Sequence, residues 1–333
     1  MKKTIFKLQQ TPKLSAVLLM GVGGGIGLAV GFLLATMFFP DNENQDVLKR
    51  YSSLSPAVAV ADQQDNLVGF QPLRDSLLNA YAKRDDYLVA IYFEYLPTGV
   101  NININENERI WPASLIKIPV AMAAMKKVER GDWRLENELV IFDEDKDSQF
   151  GDLYREPNGT RISIERLFRE SLVNSDNTAH FVFLRNLNNS ELEEVFVHLG
   201  LNEILETLRL SPASAGLDNR MTVKNYSVFF RSLYNATYLS PEYSQKILQL
   251  LLDSPREHLA LGLPENTSFA HKTGTRTDNQ VWTNSGIVYL PRRQYLLTVM
   301  IQEKPGAAQK ALDHKALFTA ISEEIYNYVA NLR

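Results

Sequence analysis

Residues Trp111-Pro-Ala-Ser-Leu-Ile-Lys-Ile-Pro-Val-Ala121 decide the reading of this 333-residue chain. An apolar run starts at Leu115, with one hydroxyl just before it at Ser114 and one amine inside it at Lys117. On a helix, positions i and i+3 share a face, so the two tips come within reach of each other. An unassisted serine is a poor nucleophile at neutral pH. A lysine desolvated among Leu115, Ile116, Ile118, Val120 and Ala121 loses proton affinity and can act as its base. The structural alternative makes Ser114 a helix N-cap and Lys117 a solvated first-turn residue. Pro119 places the helix start close by, because a proline farther inside would remove a hydrogen bond and clash with the preceding turn.

Toward the N-terminus, Pro72 opens an amphipathic segment with Leu73, Leu77, Leu78 and Tyr81 on one face. Tyr87 to Tyr95 is dense in β-formers. After the turn Pro97-Thr98-Gly99, the alternation from Val100 to Ile104 reads as the returning strand of a hairpin. Toward the C-terminus the pattern is helical: Leu115 to Val128, then Ile164, Leu167, Phe168 and Leu172 behind a Ser163 cap, then Tyr243 to Leu252 behind Ser240-Pro241. Strand character returns at Phe269–Thr273, Val281–Leu290 and Tyr295–Ile301, and a long helix is expected over Ala308–Leu332. Strands at both ends around a helical insertion imply an α+β architecture. The expectation is one largely antiparallel sheet, terminal helices on one face, and an all-helical subdomain over about 115–265 beside it. A cleft belongs where the two halves meet.

Two further motifs carry chemistry of their own. Ser175-Asp176-Asn177 lies between helical patterns, where Ser175 can relay a proton to a leaving group and Asn177 can hold a substrate amide or the lysine. An ordinary helix cap uses the same three residue types. Lys272-Thr273-Gly274-Thr275 opens off a strand. There Lys272 can orient an anion, Thr273 can bind a carboxylate, and Gly274 can let a substrate approach the backbone. A strand end with a turn glycine is the plainer alternative. Arg276 is near enough to add charge, and Phe150 and Tyr154 are candidates for cleft wall or core.

Composition narrows the functional classes. A formal net charge of −4 without a Lys/Arg-rich block gives no footprint for gripping nucleic acid. There is no cysteine, hence no disulfide and no thiolate nucleophile, and the five histidines lack metal-ligand spacing. A mechanism without metal or cofactor is expected. Lys2, Lys3, Lys7 and Lys13 precede an uncharged run of 26 residues, Leu14 to Phe39, followed by Asp41, Glu43 and Asp46. At roughly 1.5 Å per residue this run exceeds a hydrocarbon core of roughly 30 Å. Retention of lysines on the cytoplasmic side orients it. The division expected is a cytoplasmic segment 1–13, a transmembrane anchor 14–39, a linker 40–70 and an extracytoplasmic domain 71–333. A cleaved signal peptide is the competing reading, disfavoured by the length of the run and the lack of a clean A-x-A site directly behind it. Gly23, Gly27 and Gly31 recur every four residues, a spacing that permits weak helix–helix dimerisation.

Taken together, Ser114-Leu-Ile-Lys117, Ser175-Asp-Asn177 and Lys272-Thr-Gly274 resemble the S-x-x-K, S-D-N and K-T-G set of class A β-lactamases and penicillin-binding proteins. Element order is similar from about Pro72 to Leu332, and Gly159 to Phe168 is an especially close stretch. The resemblance implies a β-lactamase/transpeptidase-like fold and an acyl-enzyme on Ser114, formed from a β-lactam or an acyl-D-alanyl peptide. It implies Lys117 or a water as base, and Ser114 and Thr275 backbone N–H groups as oxyanion hole. It further implies Ser175 and Lys272 in leaving-group protonation, Thr273 and Thr275 on the substrate carboxylate, and Asn177 on a substrate amide. One departure stands out. Class A enzymes share a deacylating Glu followed four residues on by Asn, whereas between Gly200 and Thr222 the only acids are Glu203, Glu206 and Asp218, none with Asn at that spacing. Glu206 is the nearest stand-in, on an apparent helix face. The expectation splits between a β-lactamase-like hydrolase and a D,D-peptidase or transpeptidase, with a non-catalytic binding module as the reading from a different class.

Overall fold

The computed structural model describes residues 69–205, 220–278, 280–306 and 313–332. Residues 14–39, Glu206 and most of the expected deacylation loop lie outside these. Among the described residues no helix is long and apolar enough to cross a membrane.

One five-stranded antiparallel sheet organises the chain. Strands β1 (Tyr87–Tyr95), β2 (Val100–Ile104), β5 (Ser268–Arg276), β6 (Val281–Tyr289) and β7 (Tyr295–Glu303) lie in the order β2-β1-β7-β6-β5. The hairpin read from Val100–Ile104 is present, with Tyr95 opposite Val100 and Ile91 opposite Ile104. Alternation along the strands then gives each face its own core. Val89, Ile91, Phe93, Leu297, Val299 and Ile301 pack with Leu73 and Leu77 of helix α1 (Gln71–Tyr81) and with Phe318, Ile321 and Ile325 of the C-terminal helix His314–Ala330. Ala90, Tyr92, Leu296 and Met300 face the helical half.

In that half, helix α2 (Lys117–Arg130) runs through the middle and is buried on every side over Lys117–Met125, the pattern of a core helix, before its last turn reaches the surface. Gly131, at φ 82°, ends it in the left-handed conformation that glycine adopts without strain. Around it pack α3 (Ile164–Leu172), α4 (Asn177–Asn186), α5 (Asn189–His198), the short α6 (Asn202–Leu205), α7 (Val223–Asn235) and α8 (Pro241–Leu252), and the C-terminal helix is α9. Ser163 caps α3 by accepting a hydrogen bond from the Arg166 N–H, as its position suggested. The helical half is not wholly helical. Glu138–Val140 (β3) and Arg161–Ser163 (β4) form a two-stranded pair, each only three residues long. Segments that short carry too few alternations to register as strands.

Candidate active site

Ser114 lies in a 3-10 turn, Ala113–Ile116, that passes directly into α2 at Lys117. The helix read from Leu115 therefore begins two residues later, at Lys117. The consequence for chemistry is small, because i and i+3 eclipse in a 3-10 turn and Lys117 Nζ lies 2.9 Å from Ser114 Oγ. Pro119 explains part of the geometry. A non-proline there would donate to the Leu115 carbonyl four residues back; that acceptor is taken instead by the buried Tyr226 hydroxyl of α7 at 2.9 Å. Thr283 of β6 donates to the Pro112 carbonyl at 3.0 Å, so the turn is held from both halves of the molecule. Ala113 sits at φ 51°, a strained conformation for a residue with a Cβ.

The three residues of the second motif divide the labour between structure and site. Asp176 is fully buried and caps α4, accepting from the Ala179 N–H at 2.8 Å and the Leu153 N–H at 2.9 Å. Ser175, at φ 57°, turns back toward Lys117, which donates to its carbonyl at 2.8 Å and approaches its Oγ at 3.3 Å. Asn177 Oδ1 accepts from Lys117 at 2.6 Å. Its amide is oriented by Asp147, which accepts from Nδ2 at 2.9 Å and so leaves the oxygen for the lysine. Gly151, at φ 88°, has no room for a side chain: a Cβ would lie 2.0 Å from Asp176 Oδ2.

The third motif arrives on β5, the edge strand of the sheet. Lys272 is buried, and its Nζ donates to Ser175 Oγ at 2.8 Å and to the Thr273 carbonyl at 3.2 Å. Gly274 has a use beyond admitting a substrate. A Cβ there would come within 2.5 Å of Thr283 Oγ1 and 2.9 Å of both the Pro112 carbonyl and the Ser114 nitrogen. Glycine lets the strand touch the nucleophile turn, bringing Thr275 beside Ser114 at the cavity wall.

Burial governs the electrostatics. It holds the Lys117 amine well below the ordinary lysine range; the Lys272 charge adds to this, and Asp176 and Asp147 oppose it. Burial also brings Lys272 down to about 7, against the pull of Glu257. His180 is held neutral at about 3 by burial and by Lys117, so it brings no charge to the site near neutrality.

Two cavities, of 440 and 500 Å³, meet at Ser114, and Phe150 and Thr275 line both. One carries Ser175, Glu257, Lys272 and Thr273. The other carries Ile116, Asn177, His180 and Phe181. All the motif residues singled out from the sequence thus gather at one place. Two neighbours behave differently from expectation. Tyr154 lies outside both linings, against Arg155. Arg276 reaches the second cavity, with its guanidinium paired to Asp278 at 2.8 Å and stacked over Trp111 at 4.2 Å. Asp147, Tyr226, Thr283 and Glu257 escaped notice in the sequence. Asp147 closes the charged run Asp143-Glu-Asp-Lys-Asp147, which looks like any solvated stretch, and Tyr226 looks like core.

Comparison with known proteins follows the same outline. A family model described as the β-lactamase enzyme family matches residues 72–329. The β-lactamase VEB-1 of Pseudomonas aeruginosa is 22% identical over 250 residues, covering 69% of this chain and 81% of that protein. Among solved structures, PBP-A superposes with a TM-score of 0.69 at 20% identity, over 80% of this chain and 100% of that one. A mutant of PBP-A solved as its acyl-enzyme complex with penicillin G gives 0.68 at 22% identity, over 78% and 97%.

Proposed function

The chain belongs to the β-lactamase enzyme family, and on that footing we propose that it is an active-site serine hydrolase forming an acyl-enzyme on Ser114 with β-lactams or related acyl-D-alanyl amides. The observation that carries this reading is the 2.9 Å approach of a buried, proton-poor Lys117 amine to the Ser114 hydroxyl. The hydroxyl proton passes to Lys117 Nζ as Oγ bonds to the substrate carbonyl carbon. The negative charge that develops on the carbonyl oxygen falls to the Ser114 and Thr275 N–H groups, donors worth roughly 2.7–4 kcal/mol each in comparable sites. As the carbon–nitrogen bond breaks, Ser175 gives its proton to the leaving nitrogen and is resupplied across its contacts with Lys117 and Lys272. Asn177 holds an amide on the acyl side, and the Thr273 and Thr275 hydroxyls face the group beside the scissile bond. The PBP-A mutant trapped with penicillin G shares this fold and supports the choice of substrate class.

A D,D-peptidase or transpeptidase acting on cell-wall peptides is the second reading, favoured by one feature: no acid between Gly200 and Thr222 has Asn four residues on. Intact-mass measurement with a penicillin, alongside nitrocefin turnover, tests both. An adduct lost in Ser114→Ala supports the acyl-enzyme; persistence of that adduct selects the peptidase reading and rapid turnover the β-lactamase. No adduct and no turnover with any β-lactam or D-alanyl peptide would leave only a binding module.

The uncharged run of residues 14–39 behind Lys2, Lys3, Lys7 and Lys13 supports placing this domain outside the cell membrane on a single-pass anchor. Gly23, Gly27 and Gly31 support weak pairing of two such anchors. Fractionation with protease protection of intact cells is the check: a protein recovered in the soluble cytoplasmic fraction would sink the anchor.

A further inference from the structure

The cavity on the Lys272 side of Ser114 carries three carboxylates, Asp152, Glu170 and Glu257. Two are matched by cations: Asp152 lies 3.4 Å from Arg155, and Glu170 lies 3.5 Å from Arg166. Glu257 has no ion-pair partner among the described residues. Its Oε2 accepts instead from Thr273 Oγ1 at 3.4 Å. The adjacent Arg256 does not offset it, since that guanidinium donates to the Ala260 and Leu263 carbonyls at 2.6 and 2.7 Å. Arg276, at the far end of β5, is committed to Asp278.

The position of Glu257 is built in. Three residues before it, Ser254 Oγ donates to the His271 carbonyl at 2.8 Å. Two residues after it, the Leu259 N–H donates to the buried Asn284 Oδ1 at 3.1 Å, while Asn284 Nδ2 donates to the Lys272 carbonyl at 2.8 Å. The chain on both sides of Glu257 is therefore tied to the strand that presents Lys272 and Thr273.

We propose that Glu257 is a specificity-determining residue: its carboxylate beside the Thr273 hydroxyl slows acylation by substrates with a free carboxylate next to the scissile amide relative to their neutral or cationic counterparts, without excluding them. The inference rests on Ser114 being the acylated nucleophile. A substrate carboxylate reaching Thr273 meets Lys272, which attracts it, and Glu257, which repels it. Lys272 is only partly charged near neutrality, so its attraction is incomplete. A peptide amide, an internal peptide bond or an ester meets no such opposition, and an ammonium group is drawn in. Glu257 is exposed, and like charges roughly 5 Å apart in a solvated cleft correspond to roughly a three- to tenfold effect on rate.

The experiment compares benzylpenicillin with its methyl ester, which differ by that one charge. Second-order rate constants for adduct formation are measured by intact mass in the wild-type protein and in Glu257→Gln. The substitution is near-isosteric and lies at an exposed position. Because Glu257 also supports the Lys272 charge, which both compounds use, the quantity read is the acid-to-ester ratio of rate constants: a roughly three- to tenfold rise in that ratio is expected, smaller in high salt. Equal changes with both compounds overturn the inference while leaving the Ser114 acyl-enzyme standing. No Ser114 adduct with either compound in either protein overturns the acyl-enzyme reading and this inference with it.

Discussion

Lys117 and Lys272 share one hydroxyl: Ser175 Oγ lies 3.3 Å from the first amine and 2.8 Å from the second. Two buried amines that close are not comfortably charged at once. Burial lowers both amines, and the Lys272 charge lowers Lys117 further; the first is left a base and the second an acid whose charge is lost close to neutrality.

Lys117→Met separates chemistry from folding. The substitution keeps most of the side-chain volume and removes a buried amine. Acylation by a penicillin is expected to fall by about 10²–10⁴-fold, the span of a lost general base, while Tm stays level or rises. A matched loss of Tm would reassign Lys117 to structure.

The pH dependence of acylation is expected to be bell-shaped. Its rising limb belongs to deprotonation of Lys117, and its falling limb, near pH 7 to 8, to loss of the Lys272 proton. Stability follows from the same shift. Lys272 is held below its unfolded value, so between about pH 7 and pH 10 the unfolded chain binds more protons than the folded one, and the contribution of Lys272 to stability rises with pH by up to about 1.4 kcal/mol per unit. Denaturant melts of the wild type and Lys272→Met across this range check the sign. Their stability difference should move in favour of the wild type as pH rises.

Gly274→Ala is expected to damage fold and site together. The added carbon meets Thr283 Oγ1, the Pro112 carbonyl and the Ser114 nitrogen at 2.5–2.9 Å, and two of those three are backbone. A loss of about 1–3 kcal/mol in urea unfolding should accompany at least a tenfold drop in acylation. Unchanged acylation would show that β5 need not touch the nucleophile turn.

Asp147→Ala frees the Asn177 carboxamide to turn its nitrogen toward Lys117. An amide donor facing the amine raises the cost of charging it and misplaces the substrate amide. Acylation should fall about tenfold with Tm within a degree or two, and Asp147→Asn should restore less than full activity because it offers a second amide as partner. A crystal structure of Asp147→Ala with Asn177 unmoved would refute the orienting role.

The reach of the sequence differs between fold and site. Strands β1, β2, β5, β6 and β7 and the helices behind Ser163 and Ser240 were legible because each announces itself within ten residues or so, by period, cap or turn. The β3–β4 pair was not, since three-residue strands exist only through their partner. Within the site, Ser114, Lys117, Ser175, Asn177, Lys272, Thr273, Gly274 and Thr275 stood out as three short motifs whose joint order is improbable. The residues that hold them did not. Tyr226 reaches the Leu115 carbonyl across 111 positions and Thr283 reaches the Pro112 carbonyl across 171.

By itself, then, the sequence determined the order of elements, the chemical identity of the nucleophile and its amine, and the absence of a Glu-to-Asn spacing between Gly200 and Thr222. Tertiary structure decided that Ser114 lies in a 3-10 turn, that Gly274 serves the contact between strand and turn, and that Glu257 stands beside Thr273. The physical reason is range. Helical and strand periods and capping residues act between neighbours, whereas desolvation of Lys117 and Lys272 and the charge facing the cleft arise only when segments far apart in the chain exclude water together.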